Sequence, residues 1–152
     1  MYLAAIDFGT INTDVLVQNV VSTLLYFVVG VVILIAGFAM IDALTPGRLR
    51  RQVFVERRPN AVVVTAATDV ALTLVIVSAI VASSDKLGQG LVDTVVYGLV
   101  GVALQGVALV VLEAVVPGHY RNIVDAEQFH PASIAAAVIL LAVGGINAAA
   151  LS

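Results

Sequence analysis

Four apolar runs, roughly Val20–Ile41, Asn60–Ala82, Val95–Val116 and Ala132–Ser152, constrain this chain more than any other feature. Each is about 20 residues, the length at which a helix crosses a ~30 Å hydrocarbon core. Lipid leaves no water to pair with backbone N–H and C=O groups, so such runs must be helical. The expected fold class is therefore all-α: a polytopic membrane protein with four transmembrane helices. Charge supports this, because only 11% of the 152 residues are charged, against ~25% in a soluble domain. The longest connection, about Asp42 to Pro59, is too short to hold a separate soluble domain.

The basic residues set an expected orientation. The first connection holds Arg48, Arg50, Arg51, Arg57 and Arg58; the second, 83–90, holds Lys86, and the third holds Arg121. The first and third connections share one side, which the positive-inside rule makes cytoplasmic. Both termini then face outward, in a bacterial plasma membrane. The stretch 1–19, with Asp7 and Asp14 and no Lys or Arg, lacks the basic start of a secretory signal. A short polar lead-in is expected there. The chain has no cysteine, which excludes disulfides and thiolate metal sites.

Shifted by 71 residues, the chain matches itself without a gap, with 15 identities in the 59 pairs from 23/94 to 81/152. About one in ten is expected by chance in such a composition. Tyr26 falls on Tyr97, Gly30 on Gly101, Asp42 on Glu113, Pro46-Gly47 on Pro117-Gly118, and Arg50 on Arg121. Each unit reads as a span, an acid, a Pro-Gly turn, a short basic stretch and a second span. The domains are thus a first two-helix repeat at 20–82, an outer loop at 83–94 and a second repeat at 95–152. Two spans per unit make the tandem repeats parallel, about an axis near the membrane normal. Pro-Gly stops a helix by removing a donor and admitting a left-handed turn. Asp42 with Arg50, and Glu113 with Arg121, are expected to clamp these turns. Leu49, Gln52 and Val53 fall on Tyr120, Ile123 and Val124 and give each unit a short helix with a mostly apolar face.

The segments "DALTPGRLRRQVFVERRPNAVVV", "VVYGLVGVALQGVALVVLEAVVPG" and "GGINAAALS" resemble the YjfL-like family of small bacterial membrane proteins, also called domain of unknown function 350. The resemblance covers about 20–152. It implies a four-span inner-membrane protein of two tandem units and implies no activity. This chain departs from the family pattern at His130-Pro-Ala-Ser, where the second unit would otherwise repeat the asparagine of Asn60-Ala61.

Asp69 stands nine residues past Asn60, so ~13 Å along the helix and near mid-bilayer. Thr65 and Thr73 lie four residues before and after it and Thr68 beside it, which reads as one polar stripe. Gln105, at matched depth in the third span, is the expected hydrogen-bond partner, since an amide satisfies a carboxyl in either protonation state. Two functions fit this cluster. One is polar glue between helices; the other is a proton or cation relay, the default hypothesis for an intramembrane acid. A face of small residues, Thr23, Tyr26, Gly30, Ile33, Gly37 and Met40, with its counterparts from Thr94 to Val111, fits close helix packing or self-association.

The arginines of the first connection fit contact with lipid headgroups. His119, His130, Asp125 and Glu127 have ligand chemistry but no metal-site spacing. No nucleophile–base pair, phosphate loop or cofactor fingerprint is present. The sequence therefore reads as a non-enzyme without cofactor, metal, nucleic acid or small-molecule substrate. Its partners are the bilayer and other membrane proteins or copies of itself. A structural or accessory subunit of a bacterial membrane complex comes first; a small proton- or ion-conducting protein using Asp69 is the alternative.

Overall fold

A computed structural model describes residues 12–45, 49–115 and 120–151, and for Tyr120 and Arg121 the backbone alone. Four long helices run through it: α1 (Thr13–Leu44), α3 (Pro59–Val81), α4 (Leu87–Val115) and α6 (Ala132–Leu151). Two short helices, α2 (Leu49–Phe54) and α5 (Tyr120–Asp125), follow α1 and α4. The four long helices are long and apolar enough to cross a membrane.

The helix ends follow local chemistry rather than the edges of the apolar runs. Asn12 caps α1, its side chain accepting from the N–H groups of Asp14 and Val15, and so the expected lead-in is helical from Thr13. At 32 residues, α1 extends ~48 Å, well beyond the hydrocarbon core. Its first turns carry Asp14, Gln18 and Asn19. Pro59 opens α3, where a missing N–H costs nothing. α4 begins at Leu87, inside the stretch expected as an outer loop. Thr94 is accommodated there by donating its hydroxyl to the Gly90 carbonyl at 2.8 Å.

α3 is the central helix. It packs against α1, α4 and α6, and most extensively against α6; α1 packs mainly on α4. Half of the apolar window of α3 is buried (50%), against 22% for α1. The core comprises Ile33, Ile41, Val64, Leu72, Ile76, Val102, Leu109 and Leu140, with Leu49 of α2 and Val124 of α5 closing it at the Arg-rich end. The apolar face of α2 thus lies against the bundle, while Phe54 and Val55 point away from it. Large apolar side chains cover the perimeter, among them Phe27, Val28, Val107, Val110, Val138 and Ile146.

Small residues permit this packing. A Cβ on Gly144 of α6 would stand 2.4 Å from the Ala71 Cβ and 2.8 Å from its Cα. A Cβ on Gly101 of α4 would stand 2.2 Å from a Val75 methyl. Of the expected small-residue face of α1, Ile33 and Gly37 are buried and Tyr26, Gly30 and Met40 partly so, while Thr23 is exposed. In α4 the packed face is rotated to Thr94, Gly98, Gly101, Gln105 and Leu109, and Tyr97, Leu104 and Val111 face outward. The rotation follows from α4 sitting between α1, α3 and α6.

Two contacts recur at the 71-residue offset. Gly101 of α4 meets Asn147 of α6 through a 2.8 Å hydrogen bond, and Gly30 of α1 faces Ile76 of α3 at 3.4 Å from its Cβ position. Gln105 of α4 meets Leu140 of α6, and Leu34 of α1 and Asp69 of α3 line one groove.

Candidate functional site

Asp69 lies midway along α3, half-buried. The expected stripe divides around it, because positions four apart drift ~40° on a helix. Thr65 and Thr68 turn into the core, and Thr68 donates to its own helix at the Val64 carbonyl, 2.7 Å away. Thr73 is exposed and donates to the Asp69 carbonyl oxygen at 2.8 Å. Among the described residues, no group hydrogen-bonds the Asp69 carboxyl.

Gln105 does not meet Asp69. It is fully buried, and its amide donates to the Leu140 carbonyl at 3.1 Å, leaving its Oε1 unpaired. Depth matched and contact failed because the two residues lie against different helices. Leu140 stands 71 positions after Asp69, and Leu34 stands 71 before Gln105. The pair α1/α3 therefore has its polar residue at this level on α3, and the pair α4/α6 has its own on α4. Gln105 fills the space between α4 and α6. The space between α1 and α3 is open.

That space is a groove of about 580 Å³. Leu34, Ile35, Phe38 and Ala39 of α1 form its apolar wall, with Asp69 at its inner end. Asp42, Arg50 and Phe54 stand at its mouth. Asp42 does bridge the turn, but its carboxylate accepts from the backbone N–H of Arg50 at 3.2 Å, and the two side chains form no ion pair. The Arg50 guanidinium is left to line the groove. Pro46, Gly47 and Arg48 lie outside the described residues, as do Pro117, Gly118, His119 and the Arg121 side chain. Glu113 stands near the end of α4, two residues before its last residue.

The other arginines divide in two. Arg51 pairs with Glu56 at 3.0 Å and is itself largely exposed; Arg57, at φ 52, forms the left-handed reversal between α2 and α3. Arg58 is turned inward rather than toward headgroups. Its Nε pairs with Glu56 at 2.8 Å, and its Nη1 donates to the Asp125 carbonyl.

Arg58 belongs to a clamp between the units that the sequence reading missed. Asn60 is completely buried. Its amide donates to the carbonyls of Ala126 at 3.0 Å and Gln128 at 2.8 Å. Its Oδ1 accepts the His130 N–H at 2.8 Å. Gln52 donates to the Asp125 carboxylate beside it. One asparagine thus satisfies three backbone groups of the turn between α5 and α6; Pro131 stands 71 positions after it. The available signal was an asparagine one residue into a helix, immediately after Pro59. His130 acts in the same turn as a helix cap, its Nδ1 accepting from the Ala132 N–H at 3.2 Å. No cluster of metal-ligating side chains exists among the described residues.

The family profile described as Domain of Unknown Function (DUF350) matches residues 15–151. The chain is 59% identical over 152 residues to a UPF0719 transmembrane protein of Mycobacterium bovis, covering all of both chains. A UPF0719 transmembrane protein of Mycobacterium tuberculosis is likewise 59% identical over the full length of both. One from Mycolicibacterium paratuberculosis is 52% identical over the same extent. No solved structure matches.

Proposed function

Because the chain belongs to the DUF350 family, whose function its own description leaves open, we propose from the geometry that it is a non-enzymatic assembly subunit of a membrane complex. In this reading it sits in the bacterial plasma membrane with the Arg-rich end cytoplasmic and both termini outside. Its two units are related by a pseudo-twofold axis along the membrane normal. The paired contacts at the 71-residue offset, of α4 with α6 and α1 with α3, support that symmetry.

One observation carries the reading: the Asp69 carboxyl faces the α1/α3 groove and has no partner among the described residues of its own chain. A charged carboxyl at this depth costs ~2.5–3.5 kcal/mol on insertion scales. A hydrogen-bonded or charged partner offsets that cost. The peripheral position of α1, with 22% of its apolar window buried, leaves room for another helix on that side. Conduction is less favoured. The space between α1 and α3 is walled mostly by apolar side chains on both sides of Asp69, by Leu34, Ile35 and Phe38 toward the Arg-rich end and by Phe27, Val31, Ile76 and Ile80 toward the other, whereas a relay needs polar groups toward both surfaces.

The test is the mass of the assembly in mildly solubilised native membranes. Wild-type chain is expected in a complex larger than the single chain, and Asp69→Leu is expected to release it as the single chain, a loss of at least ten-fold in the assembled fraction. An unchanged complex with Asp69→Leu overturns the reading. Proton flux in liposomes that Asp69→Asn abolishes supports the relay instead.

A further inference from the structure

We infer that the occupant of the α1/α3 groove is a transmembrane helix of a different protein, with a lysine or arginine at the depth of Asp69. The inference rests on the docking reading above and adds the identity of the donor.

Charge within the groove is the first argument. Two carboxylates, Asp42 and Asp69, and one guanidinium, Arg50, line it. Asp42 and Arg50 stand together at the mouth, where their opposite charges offset each other. The remaining charge is therefore negative and sits at Asp69, the inner end. The mouth, by contrast, carries a cation of its own. A partner complementary to this pattern is apolar along Leu34 and Phe38 and cationic beside Asp69. An amphipathic helix seated in a groove provides such spacing from one face.

Depth is the second argument, and it excludes the other occupants. Every Lys and Arg of this chain lies at 48–58, 86 or 121, outside the middle of the spans. A second copy in the same orientation would offer only Asp69 and Thr73 from its surface at this level, a like charge and a hydroxyl already bonded to its own helix, because its Gln105 is buried against Leu140. Lipid amines reside at the surface, ~15 Å along the helix from Asp69. A transmembrane helix can hold a lysine or arginine at that depth when the side chain faces protein and pairs with an acid.

The test uses the purified chain in phosphatidylcholine nanodiscs. The probes are three synthetic Leu/Ala helices of about 20 residues with Lys, Gln or Leu at the centre. Binding is read by energy transfer from each helix to a dye on Ser84→Cys. The Lys helix is expected to bind at least ten-fold tighter than the Leu helix, with the Gln helix between them. Asp69→Leu is expected to erase the preference while keeping the helical content. Equal binding of Lys and Gln helices, both dependent on Asp69, overturns the cationic donor and leaves docking intact. No Asp69-dependent binding of any helix overturns both. Asp69-dependent transfer between two labelled copies of the chain assigns the groove to self-association and overturns the inference. Loss of the Lys preference on adding phosphatidylethanolamine assigns it to a lipid amine and does the same.

Discussion

Replacing Asn60 with alanine is expected to cost about 2–4 kcal/mol of stability, the loss of three buried hydrogen bonds at ~1 kcal/mol each with their partners left unpaired. The bonds reach Ala126, Gln128 and His130, so the damage is specific in place. The turn between α5 and α6 loosens while the four long helices stay formed. Thermal unfolding in detergent reads the size of the effect. Limited proteolysis reads its place, with new cleavage expected between 126 and 131. Asn60→Asp is expected to do no better, because it retains the acceptor for His130 but loses both donors. An Asn60→Ala chain with unchanged midpoint and unchanged proteolysis would show that the clamp contributes nothing.

Gly144→Ala is the second large effect. The added methyl meets both Cβ and Cα of Ala71, and backbone cannot rotate away as a side-chain tip can. Overpacking of this kind costs about 1–3 kcal/mol, here at the most extensive helix pair, α3 with α6. The informative experiment is the double-mutant cycle. Ala71→Gly removes the Cβ contact and leaves the one with the Cα, so Gly144→Ala in that background is expected to recover part of the loss. Residues in contact show such coupling and distant ones do not. Additive costs would mean that the two helices do not meet at this point.

The four spans were legible because twenty consecutive apolar residues admit one solution in lipid. Helix ends were less legible. Asn12 and Leu87 begin helices within polar sequence, where capping and tertiary contacts decide rather than hydropathy. The polar residues were legible in kind and depth but not in partner. Asp69 and Gln105 share a level, yet Asp69 lines the gap between α1 and α3 and Gln105 lies against α6. That assignment depends on how α1 and α4 rotate against their neighbours, which a single helical pattern does not encode. Asn60 was visible as a polar residue at a helix start, but its three partners lie in the other unit, up to 70 positions away. Arg58 was counted with a surface cluster because charge alone does not say which arginine turns inward.

The central claim is that the Asp69 carboxyl has no partner among the described residues of its own chain. Its most direct test is the stability of the isolated chain with Asp69→Leu, measured by reversible unfolding in mild detergent. The claim predicts a stability equal to or above wild type, since the change removes a carboxyl that bonds to none of the described residues and extends the apolar wall of Leu34 and Phe38. A loss of more than about 1 kcal/mol, the worth of one intrachain hydrogen bond, would contradict it.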